Sequence, residues 1–146
     1  AQDYDINTLA IWDRVDGRKF SYRVKSVLIT KKVDITTADA HYYIVELVVE
    51  NVSNSPQEFS MVSMLDDAGR THAHTNDFIL DKDILSEFDR INPGVSVIGF
   101  VVFDVVRGRE YRLKYPDSQL STLLRHPELL EAGIGPVFVT SDNKPD

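Results

Sequence analysis

The sequence predicts an all-β fold: an immunoglobulin-like antiparallel β-sandwich with a short C-terminal helical extension. Three observations predict it. Several segments alternate apolar and polar residues with period two, the pattern of strands with one wet face. Turn-forming clusters at Asn51–Pro56, Asp66–Gly69 and Ile91–Gly94 separate these segments at short intervals. Helical spacing does not alternate with the strands, as it would in an α/β chain.

The first strand opens with Phe20, Tyr22 and Val24 alternating against Ser21, Arg23 and Lys25. Val27, Leu28 and Ile29 then run consecutively, so a bulge is expected near Lys25 to Val27. In Tyr42–Glu50, Tyr43, Val45, Leu47 and Val49 share one face, while Glu46 and Glu50 mark the other as partly wet. Phe59–Leu65 is the next strand, and Asp66-Asp67-Ala68-Gly69 turns the chain into a return strand over Thr71–Thr75. Asp81–Phe88 has room for one or two helical turns, with Asp81 as cap and Ile84, Leu85 and Phe88 on one side.

Ile91-Asn92-Pro93-Gly94 is a tight corner, because Pro presets φ and Gly accepts a positive one. It leads into Val95–Val106, which is apolar on both faces: Val95, Val97, Val101, Phe103 and Val105 on one, Ile98, Phe100 and Val102 on the other. Such a strand is expected to be central and covered on both sides. After a turn at Gly108, Tyr111, Leu113 and Tyr115 alternate with Arg112 and Lys114. Leu120, Leu123 and Leu124 then take helical spacing behind Ser118, and Pro127 suits the start of a second short helix through Leu129 and Leu130 to Gly133. Val137–Val139 is a last strand candidate. The helices are expected to cover the second face of Val95–Val106; another subunit is the rival cover. The organisation expected is one domain over 1–140, with its core at 20–115, an extension at 116–140 and a polar tail at 141–146.

A chain of 146 residues with 42% hydrophobic and 27% charged content has the makings of a globular domain. Domains of this size bury about 70% of their unfolded surface and need no metal or disulfide to fold. The net charge of −7, without a long basic run, argues against nucleic acid and against an anionic membrane surface as partners. No stretch of about 20 apolar residues is present to span a bilayer as a helix. Absence of cysteine excludes a thiol nucleophile, a thiolate metal site and disulfides, and leaves the redox compartment open. Ala1-Gln2-Asp3 would suit the residues after a signal-peptidase cut.

The sequence has no Gly-x-Ser-x-Gly elbow, no His-Glu-x-x-His and no phosphate-binding glycine loop. His72 and His74 are the sharpest polar pair: two residues apart on a strand, both imidazoles face one way and could reach one metal ion. A third ligand would have to be His41 or Asp77, brought close by the fold; the bland alternative is two solvated histidines. The acids Asp66, Asp67, Asp77, Asp81, Asp83, Glu87 and Asp89 lack calcium-loop spacing and suit capping and turn roles. Asn51-Val52-Ser53 formally matches an N-glycosylation acceptor, and both polar residues are also ordinary at strand ends. Trp12 and the tyrosines could form a binding surface or pack the core. No cofactor is expected.

Tyr42 to Asn51, Leu65-Asp66-Asp67-Ala68-Gly69, Ile91-Asn92-Pro93-Gly94 and Gly99 to Val105 together resemble a bacterial family of telokin-like, immunoglobulin-like extracellular domains of unknown function, related to a mycobacterial immunoprotective extracellular antigen. The resemblance spans about Phe20 to Tyr115. It implies a secreted, periplasmic or lipoprotein-anchored domain, with a lipid anchor upstream in the last of these cases only, and assigns no catalytic residue. The chain departs from the family where a proline often follows Phe-Asp-Val; here Val106-Arg107-Gly108 follows. The expectation is a non-enzymatic extracytoplasmic binding or interaction module, for which a protein is one candidate partner, its identity open. The alternatives are a metal-binding or metal-delivery domain using His72 and His74, and a protease-inhibitor-type sandwich.

Overall fold

A computed structural model describes residues 8–33, 36–75, 90–124 and 130–132. The described chain is all strand and turn. Its elements are β1 (Thr8–Leu9), β2 (Val15–Asp16), β3 (Phe20–Val33), β4 (Thr36–Asn51), β5 (Gln57–Glu58), β6 (Ser63–Asp66), β7 (Thr71–His72), β8 (Arg90–Ile91), β9 (Ser96–Val105), β10 (Tyr111–Lys114), β11 (Ser121–Leu123) and β12 (Leu130–Ala132). One sheet has the order β1-β11-β10-β6-β7; the other has β12-β3-β4-β9, with β2 on β3; β5 and β8 pair separately. Pairing is antiparallel except where β1 joins β11 and β12 joins β3.

The two sheets pack face to face. β3, β4 and β9 contribute inward rows such as Ile29–Tyr43–Phe103 and Val27–Val45–Val101. Val62, Met64, Tyr111, Leu113 and Tyr115 meet them from the opposite sheet in one buried cluster. Ile11 and Val15 upstream and Leu124 downstream also join it, so the core reaches beyond 20–115 on both sides.

The expected bulge is present. The β3–β4 register shifts between Val24 and Ser26, which makes Lys25 the extra residue. Even-numbered residues Phe20, Tyr22 and Val24 therefore face inward before it, and odd-numbered Val27 and Ile29 after it. That phase change is why the sequence shows three apolar residues in a row. The turns at Gly69, Gly94 and Gly108 all have positive φ, as their glycines suggest.

Three expectations are overturned. β9 stands at the end of its described sheet, and β3 and β4 are the interior strands. Its two apolar faces reflect a sheet buried on both sides at that end: Phe100 and Val102 join Leu28, Ala38, Tyr42 and Ile44 in a second cluster, while Ile98 remains 50% exposed. The return strand stops at His72, because the chain then crosses to the other sheet, where Thr75 N–H donates to Val102 O at 2.8 Å. The predicted helix through Leu120, Leu123 and Leu124 is strand β11, and Leu130–Ala132 is strand β12 instead of helix. Pairing with β10 overrides local spacing: Leu124 N–H donates to Tyr111 O at 2.9 Å, and Thr122 Oγ1 lies 2.6 Å from the Tyr115 hydroxyl. The helical turns expected over Asp81–Phe88, the rest of the extension, the Val137–Val139 strand and the tail lie outside the described residues.

Candidate functional site

A cleft of about 850 Å³ lies between two turns far apart in sequence. One is Asp16–Lys19, joining β2 to β3; the other is Pro116–Gln119, joining β10 to β11. Asp117 locks them together. Its Oδ2 accepts the Lys19 and Phe20 amides at 2.8 and 3.2 Å, and its Oδ1 accepts the Tyr22 hydroxyl at 2.5 Å. Arg18 N–H donates to Asp117 O at 3.2 Å, and the Ser118 hydroxyl donates to Asp16 O at 3.2 Å. The turns approach so closely that a Cβ on Gly17 would lie 2.6 Å from the Asp117 carboxylate. Gly17 is there for space.

Tyr22 carries this clamp into the core. Its ring stacks on Tyr115 with centroids 4.3 Å apart. Burial, then the hydrogen bond to Asp117 and its charge, push the Tyr22 hydroxyl far above the ordinary tyrosine range. It therefore remains a donor. Three donors fill the Asp117 carboxylate oxygens, so it is placed to hold the two turns together. Asp16, the other acid of the cleft, pairs with Arg14 Nε at 2.8 Å. Arg18 and Lys19 are exposed, and neither side chain has an ion pair among the described residues.

Of the histidine pair, His72 is on β7 and His74 lies on the crossing beyond it. His72 Nε2 is 3.0 Å from Asp66 Oδ2. Asp66 is the hub of its turn: the fully buried carboxylate also accepts the Ala68 and Arg70 amides, both at 2.9 Å, and Arg70 Nε at 2.8 Å. Burial raises its pKa, but the bonds from His72, Arg70 and Ala68 outweigh that and hold it well below the usual carboxylate range. Asp67 pairs outward with Arg109 at 2.9 Å. No group of three or more His, Asp or Glu able to hold a metal occurs among the described residues. Tyr111 edges onto His72, and burial and the neighbouring Tyr43 push its hydroxyl up to about 12. Asp77 and the acids from Asp81 to Asp89 lie outside the described residues.

Asn51 is fully buried and fully used. Its Nδ2 donates to Ser55 O and Ile91 O at 2.9 and 2.8 Å, and its Oδ1 accepts Ser53 N–H and Oγ–H at 2.8 and 2.7 Å. Gly94 N–H donates to Asn51 O at 2.9 Å. The Asn-x-Ser match thus ties the turn after β4 to the Pro93-Gly94 corner, and its amide offers nothing to a glycosyl donor in the folded protein.

Sequence reasoning missed Asp117, Gly17, Arg18 and Lys19. Asp16-Gly17 and Pro116-Asp117 are readable as turn dipeptides, but nothing local says that the two turns meet.

The family described as a domain of unknown function (DUF4352) matches residues 10–122. No curated protein matches the chain. Several solved structures share its fold, three of them as follows. A “putative lipoprotein (ycdA)” from Bacillus subtilis aligns with TM-score 0.59 and 19% identity, over 70% of this chain and 32% of its own. This chain thus spans about a third of that protein's length. The yjhA protein of Bacillus subtilis aligns with TM-score 0.60 and 17% identity, over 75% and 81% of the two chains. An uncharacterised β-sandwich protein of Clostridium difficile 630 aligns with TM-score 0.53 and 9% identity, over 86% and 98%.

Proposed function

The chain belongs to the DUF4352 family of domains of unknown function, and from that premise we propose that it is an extracytoplasmic, non-enzymatic binding module. The single observation that carries the proposal is how the polar side chains at its turns are spent. Asp117, Asp66 and Asn51 each have their hydrogen-bonding capacity filled by the turns they close. The cleft is left with recognition groups, Arg18 and Lys19, and with no activated nucleophile or base beside them among the described residues. The architecture is read as one immunoglobulin-like sandwich, consistent with its face-to-face sheets. The lipoprotein description of ycdA supports a secreted, periplasmic or lipid-anchored setting.

Expression of the complete reading frame in its source cell, with palmitate labelling and fractionation, tests the compartment. Recovery outside the cytoplasm is expected; recovery in the cytoplasm overturns it. Incubation with ester, phosphoester, glycoside and peptide substrates tests the absence of catalysis, which turnover above background would contradict.

A metal-binding alternative draws on one observation. Asp66 holds His72 through Nε2, much as carboxylates orient metal-ligating imidazoles. Zinc or copper titration decides it: no stoichiometric binding, or binding unchanged in His72→Ala/His74→Ala, removes it.

A further inference from the structure

From the charges around the cleft between Asp16–Lys19 and Pro116–Gln119, we infer that it is an oxyanion site, taking a phosphate or carboxylate group of a ligand between Arg18 and Lys19. The cleft's two acids are both engaged locally: Asp16 is paired with Arg14, and the Asp117 oxygens are filled by the Lys19 and Phe20 amides and the Tyr22 hydroxyl, which leave its charge in place. Its two cations have no such partner among the described residues. With Arg14 counted beside Asp16, three cations stand against two acids there, an excess of one positive charge in a chain whose net charge is −7. Cations left unpaired at a concave site favour an anion, and the planar guanidinium of Arg18 fits an oxyanion through two parallel hydrogen bonds. Gln119 adds an exposed amide at the rim.

The site is built before any ligand arrives. Its walls are cross-linked by the Asp117 clamp and by the Ser118 bond to Asp16 O, and Gly17 keeps them at close approach. The cleft, about 850 Å³, is open to solvent and has room for a small oxyanion group. Arg18 and Lys19 sit on its mouth at the tip of a tight turn, so little backbone ordering opposes binding.

The inference rests on the binding-module reading only for its biological sense; the electrostatics stand apart from it. Titration of the 15N-labelled protein with sodium phosphate and, separately, with sodium citrate at constant ionic strength tests it. Saturable amide shifts are expected at Gly17–Lys19 and Asp117–Gln119. Affinity should fall at least tenfold in Arg18→Gln/Lys19→Gln, whose exposed side chains leave folding intact. Response to phosphate alone assigns a phosphate group, and response to citrate a carboxylate. No saturable shift with either salt, shifts spread over the surface, or equal affinity in the double variant overturns the site. Turnover of a bound phosphoester would overturn the non-enzymatic reading and leave the site standing.

Discussion

At the scale of the residue, stability concentrates in a few polar side chains that close turns. Asp117→Ala takes the acceptor from the part-buried Phe20 amide and Tyr22 hydroxyl, at about 1–2 kcal/mol each, while the exposed Lys19 amide turns to water. A loss of about 2–4 kcal/mol is expected in urea unfolding, with Gly17→Ala destabilising by the opposite fault, a Cβ driven into the same carboxylate. An Asp117→Ala variant as stable as the parent would show that the clamp is idle. Asp66 predicts a pH effect. Its folded pKa lies below the unfolded value of about 3.9, so its contribution is complete above that pH and declines as pH falls further. The parent should lose stability between about pH 4 and pH 2 more steeply than Asp66→Asn, which has no carboxylate to protonate. Parallel curves would assign the acid loss to other groups. The burial of Tyr111, Leu113 and Tyr115 was legible from alternation alone. The role of Asp117 was not, because its partners stand 95 to 98 residues away and the sequence around it spells only a turn.

At the scale of the element, phase is what the sequence exposes and pairing is what it conceals. The bulge was legible because an extra residue breaks a period of two. Lys25 also serves it: its ammonium lies 5.8 Å from the ring centroid of Trp12, and the Trp12 backbone N–H donates to Val24 O at 3.0 Å. Trp12 holds a φ of 81°, a costly conformation for a bulky side chain that this local packing sustains. Deleting Lys25 would restore strict alternation and keep Val27 and Ile29 facing inward. The deletion is expected to fold, with a melting temperature several degrees lower for the lost Trp12 contacts. Deleting Val48 from the unbulged part of β4 would instead turn Val49 outward, and the protein should not fold. Circular dichroism melts compare the two; equal damage would show that Lys25 is no bulge residue. β11 misled because Ser121 and Leu123 on one face and Thr122 on the other are all buried, which erases alternation and leaves a leucine spacing that imitates a helix.

At the scale of the whole molecule, the sheets depend on strands contributed from distant parts of the chain. β11 occupies the edge of β10 and is the pairing partner of β1, while Pro116–Gln119 supplies the clamp that ties the two sheets at one end. A chain ending at Tyr115 loses all of this: β10 becomes an open edge, β1 has no partner, and the Tyr22 and Tyr115 hydroxyls lose Asp117 and Thr122. Aggregation or a large fall in melting temperature is expected, since an open strand edge invites pairing between molecules. A chain ending at Leu124 restores the edge and the clamp and omits β12, which pairs only with Leu28–Thr30 of β3 among the described residues. It should stay folded and monomeric, melting below the parent but well above the shorter chain. Size-exclusion chromatography and thermal melts of the two separate the explanations. If both fail alike, the stability resides C-terminal to Leu124, and the edge supplied by β11 is not the element that completes the sandwich.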